Sequence, residues 1–155
     1  MTSKKPIPRN TFYSIEGQSL EPGEWVPVDQ SRIDLFADAT DDHQFIHIDP
    51  VRAGQTDFGG TIAHGFLSLS LLPRLVKEVM LVPEGMLMGI NYGFNHVRFL
   101  SPVKSGDQIR VQGSVKSVVE KDPGRFLVTL TIQLEIKGSE SLALVCEWLN
   151  YFVCE

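Results

Sequence analysis

Cysteine is scarce: the chain of 155 residues holds only Cys146 and Cys154. Two thiols so placed offer no disulfide framework and no metal-type spacing, so a reduced, cytoplasmic setting is expected. Long hydrophobic runs are missing as well. No apolar stretch approaches the roughly 20 residues that cross a bilayer, and residues 1–10 lack the apolar core of a secretory signal, so no membrane association or export is expected. Positive charge is in deficit, with 14 Lys and Arg against 19 Asp and Glu and a net charge of −5. Such a chain has no general attraction for nucleic acid or an anionic membrane. The small basic cluster of Lys4, Lys5 and Arg9 reads as part of a solvated tail. No Gly-x-Gly-x-x-Gly or phosphate-loop signature is present, so no redox or nucleotide cofactor is expected.

What is present suits one soluble globular domain. Hydrophobic residues make up 43% and charged residues 21%, and the length allows one real core. Residues 1–10 read as a polar tail and residues 11–155 as the domain. A short edge strand is expected over 24–28, where Pro27 cannot donate to a central ladder. Asp29 or Ser31 can cap a helix over 32–40, whose apolar face is Ile33, Phe36 and Ala37 at i, i+3, i+4. Residues 43–60 are aperiodic, with a possible helical turn over 50–54; a stretch this long without regular structure is usually functional. A second helix is expected over 61–79. It is apolar around most of its circumference and therefore buried, with a kink at Pro73. From 88 onward the pattern is β. Alternation is clearest at Phe126, Val128, Leu130, Ile132, Leu134 and Ile136. Short turns at 104–107, 122–124 and 137–139 make the strands antiparallel. One apolar helix with a long antiparallel sheet gives an α+β fold in which the sheet wraps the helix.

Two stretches carry the chemistry. Residues 42–49 crowd Asp42, His43, His47 and Asp49 into eight positions. Ile62-Ala63-His64-Gly65-Phe66 opens the apolar helix. A titratable cluster beside a helix start can unite acid–base groups with an oxyanion site. Plainer readings stay open at this point. Asp42 can end the first helix, His47 can be a hydrogen-bonded core histidine, and Asp49 before Pro50 can be a turn former. A metal held by His43, His47, Asp42 and Asp49 is disfavoured, because zinc wants three or four convergent ligands.

Asp42-x-x-x-x-His47 with Asp49-Pro50, then Ile62-Ala63-His64-Gly65, then Asn91-Tyr92-Gly93 with Val97-Arg98-Phe99 and Pro102-Val103, together resemble the MaoC-like hot-dog family. Within it the chain is most similar to R-specific enoyl-CoA hydratases and their nodulation-protein-N-like branch. The resemblance runs from about residue 33 to the end. It implies a hot-dog fold, a homodimer and reversible hydration of a trans-2-enoyl thioester, with an acyl-CoA as substrate. A dehydratase acting on carrier-protein thioesters, or a non-catalytic acyl-thioester binder, are the alternatives. The family's catalytic pair falls on Asp42 and His47. Its oxyanion donor falls on the Gly65 amide, and a supporting helical serine falls near Ser70. His64 is expected to orient the loop by hydrogen bonding. Asn91, Tyr92 and Arg98 are candidates to contact CoA, with a plain strand role as the alternative. The family's Asn-Pro between Asp and His is replaced here by Gln44-Phe45, and Pro73 interrupts the central helix.

Overall fold

The structure is a computed structural model that describes residues 6–155. Among these residues, six strands form one antiparallel sheet: β1 (Ser19–Leu20), β2 (Val26–Val28), β3 (Met86–Phe99), β4 (Asp107–Asp122), β5 (Arg125–Ile136) and β6 (Leu142–Cys154). Their order is β1-β4-β5-β6-β3, with β2 also on β4. Each link among the long strands β4, β5 and β6 is a short turn between neighbours, which fixes the antiparallel sense. The expected α+β class is the one found.

The alternation in β5 becomes burial. Phe126, Val128, Leu130, Ile132, Leu134 and Ile136 all point inward and are buried. Opposite them on β6 stand Phe152, Asn150, Trp148, Cys146 and Leu144. Each large apolar side chain so enclosed contributes about 1.5–3 kcal/mol relative to exposure, so this face fixes the register of the sheet. Phe12, in a 3₁₀ turn over Arg9–Ile15, closes one end with its ring 5.2 Å edge-on from Phe126.

Among the described residues there are five α-helices: α1 (Gln30–Thr40), α2 (Phe45–Ile48), α3 (Pro50–Ala53), α4 (Gly65–Ser70) and α5 (Leu72–Val76), of which α1, α4 and α5 send buried side chains into the core. Asp29 caps α1 by accepting from the Arg32 N–H at 2.9 Å. Asp41, at φ 56°, ends it in the left-handed conformation and turns the chain into the 42–64 excursion.

Two expectations need correction. The helix expected over 61–79 is shorter and split. Residues 61–64 are extended, because the Ala63 N–H donates to Val103 and Ile62 bridges Lys104. The break at Leu71 precedes Pro73, which has no N–H to give the preceding turn and lies instead in the first turn of α5, where none is needed. Nor is the helical stretch buried all round. Leu67, Leu72, Leu75 and Val76 join the sheet's core, while Phe66 is 67% exposed. The polar tail also ends earlier than residue 10. Ile7 bridges Pro83 and exchanges backbone bonds with Val82 and Glu84, so the chain is docked from there. Lys4 and Lys5 lie outside the described residues.

Candidate active site

His47 sits on α2 and is 7% exposed. Its Nδ1 lies 2.7 Å from the Ile62 carbonyl oxygen. A carbonyl can only accept, so Nδ1 carries a proton, which in the neutral ring leaves the lone pair on Nε2. The backbone of His47 is held too: Gln30 Nε2 donates to its carbonyl at 2.7 Å, and Gln30 Oε1 accepts from Thr61 Oγ1 at 2.5 Å. Burial is the main cause that holds the His47 pKa below its ordinary value. The Ile62 carbonyl opposes that, His64 adds to it, and Asp42 opposes it slightly. Burial thus favours the neutral imidazole, and its Nε2 has no hydrogen-bond partner among the described residues, the form a general base requires.

His64, just before α4, is buried and stacks on His47, with ring centroids 3.7 Å apart and planes 25° off parallel. Its Nε2 donates to the Asp42 carbonyl at 2.9 Å and lies 3.9 Å from Asp42 Oδ2. One histidine therefore fastens Asp42 and supports the face of His47. The Asp42 side chain stays about half exposed. Ligand atoms of Asp42, His47 and His64 all lie within 4.8 Å of one another. One water making two hydrogen bonds of about 2.8 Å spans such a gap. Two of the four imidazole nitrogens are already committed to backbone carbonyls.

Beside this cluster is a pocket of about 190 Å³, lined by His47, Gly65, Ser68, Phe99 and Ser101 among others. Gly65 opens α4, and no backbone acceptor for its N–H is found among the described residues. A Cβ there would stand 3.0 Å from the Phe99 ring, so glycine keeps this wall open.

Other candidates fall elsewhere. Ser70 is exposed; the serine that lines the pocket is Ser68, buried and three positions after Gly65 on the same helical face. Ser70, five positions after Gly65, has rotated away from that face. Asn91, Tyr92 and Arg98 do not meet in the His47 pocket. They lie on β3, whose pairing with β6 shifts register at three places, and Asn91 is eight residues from Phe99, at most about 26 Å along an extended strand. Asn91 accepts from Trp148 Nε1, Tyr92 stacks on Tyr151, and Arg98 is exposed. His43 is exposed and paired with Asp38 at 2.8 Å, and Asp49 caps α3 through the Val51 and Arg52 N–H groups. The four-residue metal cluster weighed from the sequence is therefore not assembled. Gln30 was not singled out from the sequence; its partners lie 17 and 31 positions away, beyond any local pattern.

A model of the MaoC like domain matches residues 11–135. The chain belongs to the MaoC-like dehydratase family. It is 45% identical over 135 residues to nodulation protein N of Rhizobium leguminosarum bv. viciae, covering 86% of this chain and 84% of that protein. It is 42% identical over 137 residues to 3-hydroxyacyl-thioester dehydratase Z of Mycobacterium tuberculosis, covering 88% and 90%. Among solved structures, the unliganded R-hydratase PhaJ1 from Pseudomonas aeruginosa aligns at TM-score 0.69 and 28% identity, over 90% of this chain and 83% of that one. The hot-dog fold implied by the residues is the fold of such MaoC-like neighbours, and the family's chemistry is that of hydro-lyases.

Proposed function

We propose that this MaoC-like protein is an (R)-specific enoyl-CoA hydratase, adding water reversibly to a trans-2-enoyl thioester to give the (R)-3-hydroxyacyl thioester. The observation that carries the reading is the convergence of His47, whose Nδ1 is held by the Ile62 carbonyl, with Asp42 within 4.8 Å, beside a pocket lined by both His47 and Gly65. His47 and Asp42 hold one water between them. As the water oxygen bonds to C3, His47 Nε2 takes its proton, and negative charge moves onto the thioester oxygen. The Gly65 N–H receives that charge. The helix behind this amide is only six residues long, so the direct hydrogen bond, more than a long helix dipole, does the stabilising. The proton held by His47 is relayed through the Asp42 carboxylate to C2 on the same face, which restores both groups. His64 positions the pair, and Ser68 takes the place expected for Ser70 along the pocket wall.

The relation to a 3-hydroxyacyl-thioester dehydratase favours a second statement of the same chemistry, run toward the enoyl product. Loss of conjugated enoyl absorbance with crotonyl-CoA, extended to longer enoyl-CoAs, tests the forward reaction. Chiral analysis of the product tests the stereochemistry. Inertness toward every enoyl-CoA, and toward the matching 3-hydroxyacyl thioesters, would remove the reading.

The working unit in this proposal is a homodimer. β3 is an edge strand, paired only to β6 among the described strands. It exposes Leu87, Met88, Ile90, Tyr92 and Phe94. A long apolar edge invites pairing with a second copy. The two buried cysteines are free, and burial pushes the Cys146 thiol up to about 12, which keeps it protonated and unreactive.

A further inference from the structure

A second cavity, of about 270 Å³, opens between α5 and strands β3 and β6. None of Asp42, His47 or His64 lines it. Val76, Met80, Met86 and Phe152 make it largely apolar, with Lys77 at its wall. Its remaining polar residues are Asn91 and Asn150, which face each other directly in the β3–β6 register. Directly opposed residues present their side chains on the same face of a sheet, so both amides turn toward the cavity. They do not bond to each other. Asn91 Oδ1 accepts instead from Trp148 Nε1, and the Nδ2 of Asn150 is enclosed with no partner among the described residues. Asn150 is only 6% exposed. Enclosed donors are rarely left unpaired in native proteins, because each costs the water it has lost. A donor kept this way on an otherwise apolar wall is suited to an acceptor that arrives from outside.

We propose that this cavity takes the tail of the acyl chain, and that Asn150 Nδ2 donates to a carbonyl oxygen borne on that tail. The substrate class is then an oxo-acyl thioester in preference to a plain alkyl one. The inference rests on the thioester reading of the His47 site and adds to it the kind of chain that is read. The dimer explains how one chain could meet both places. A two-fold axis through the middle of β3 would pair two copies antiparallel, with the Met86 end of one beside the Phe99 end of its partner. Met86 lines this cavity and Phe99 lines the His47 pocket. The cavity of one protomer is thereby set next to the catalytic pocket of the other.

Calorimetric titration of the full chain tests this without turnover. The probes are octanoyl-CoA and oxo-octanoyl-CoAs with the ketone moved stepwise from mid-chain toward the methyl end. At one ketone position, binding to the parent is expected to be about tenfold tighter than for octanoyl-CoA, the worth of one added hydrogen bond. Asn150→Leu and Asn150→Ala are both expected to abolish that preference, and the leucine variant to melt higher, since it removes an unpaired amide. The alanine variant answers the question if leucine does not fit the strand. Equal affinities across the series in the parent, or a preference that survives in both variants, would overturn the inference. Crotonyl-CoA hydration by the parent is measured beside it. Its absence would count against the hydratase reading, while the titration still decides the role of Asn150.

Discussion

Strand β5 and the excursion from Asp41 to Gly65 are held in place by different physics. In β5, six inward apolar side chains at every second position are buried, and their packing, with the ladders to β4 and β6, fixes the strand. In the excursion, buried Ala53, Ile62 and Ala63 are joined by the buried polar residues His47, Thr61 and His64, each held by a named hydrogen bond: to Ile62, to Gln30 and to Asp42. The first region can lose an atom from any of several side chains and lose only stability. The second concentrates its geometry in single bonds, so one substitution there can change chemistry while the fold survives. Functional residues of this kind sit on irregular backbone positioned by a rigid scaffold.

The largest expected effects pull the two regions apart. His47→Ala and Asp42→Ala should each lower kcat by about 10²-fold or more, the scale of a lost acid–base group. Because Asp42 is half exposed, Asp42→Ala should shift stability by no more than about 0.5 kcal/mol. Leu130→Ala, at a fully buried position of β5, should do the reverse. It should cost about 2–5 kcal/mol by urea unfolding and leave the turnover of the folded fraction near that of the parent. A Leu130→Ala enzyme with crippled kcat, or a folded Asp42→Ala enzyme with normal kcat, would collapse the distinction.

Gln30 stands between the two regimes. It rides on α1, yet its amide joins the His47 carbonyl to Thr61. Gln30→Leu leaves those partners unpaired and should cost about 1–3 kcal/mol. It should also lower kcat by about tenfold through a displaced His47, with KM little changed, since Gln30 does not line the pocket. A rise in KM at constant kcat would show that Gln30 shapes substrate binding instead.

The contrast also explains what could be read ahead of the structure. The sheet, its turns and the inward set of β5 follow from period-two alternation, which survives into burial residue by residue. Helix α1 and its Asp29 cap were legible for the same reason: the signal is local. The helix over 61–79 was overextended because apolar residues on every side give no phase. The bonds that keep 61–64 extended come from Val103 and Lys104, forty positions away. The same missing phase explains Ser70 in place of Ser68. The motif residues Asp42, His47, His64 and Gly65 do converge, yet their spacing could not reveal the stacked imidazoles or the Gln30 brace. Asn91 and Arg98 were paired as CoA contacts because both fall in one family motif, and the extended strand β3 separates what a loop would have gathered.

Gly65→Ala probes the pocket wall more gently. The added Cβ meets the Phe99 ring at 3.0 Å. That ring belongs to a residue 47% exposed, so it can give way. A several-fold drop in kcat/KM for enoyl-CoA is expected. Phe99→Ala in the same chain should recover part of it, which a double-mutant cycle would report as coupling. Strict additivity would mean that the glycine matters for its backbone and not for the space beside Phe99.

The smallest effects distinguish two imidazoles four positions apart. His47 has a lowered pKa because it is buried, and His43 a raised one because Asp38 accepts its hydrogen bond. Their linkage to stability has opposite sign. With its folded pKa below the ordinary 6.5, His47 binds fewer protons folded than unfolded across the window between those values. Stability therefore rises with pH through that window and is complete above it. For His43 the contribution is complete below 6.5 and is lost as pH rises through its raised folded value; solvent screening at its exposed position makes this slope slight. His47→Gln should flatten the stability profile on the acid side, and His43→Gln only above 6.5. Activity adds a sharper check. If His47 must be neutral to act as base, the acid limb of kcat/KM has its midpoint below 6.5, and His43→Gln leaves it in place. A midpoint above 6.5 that moves with His43→Gln would shift the base from the buried ring to the exposed one.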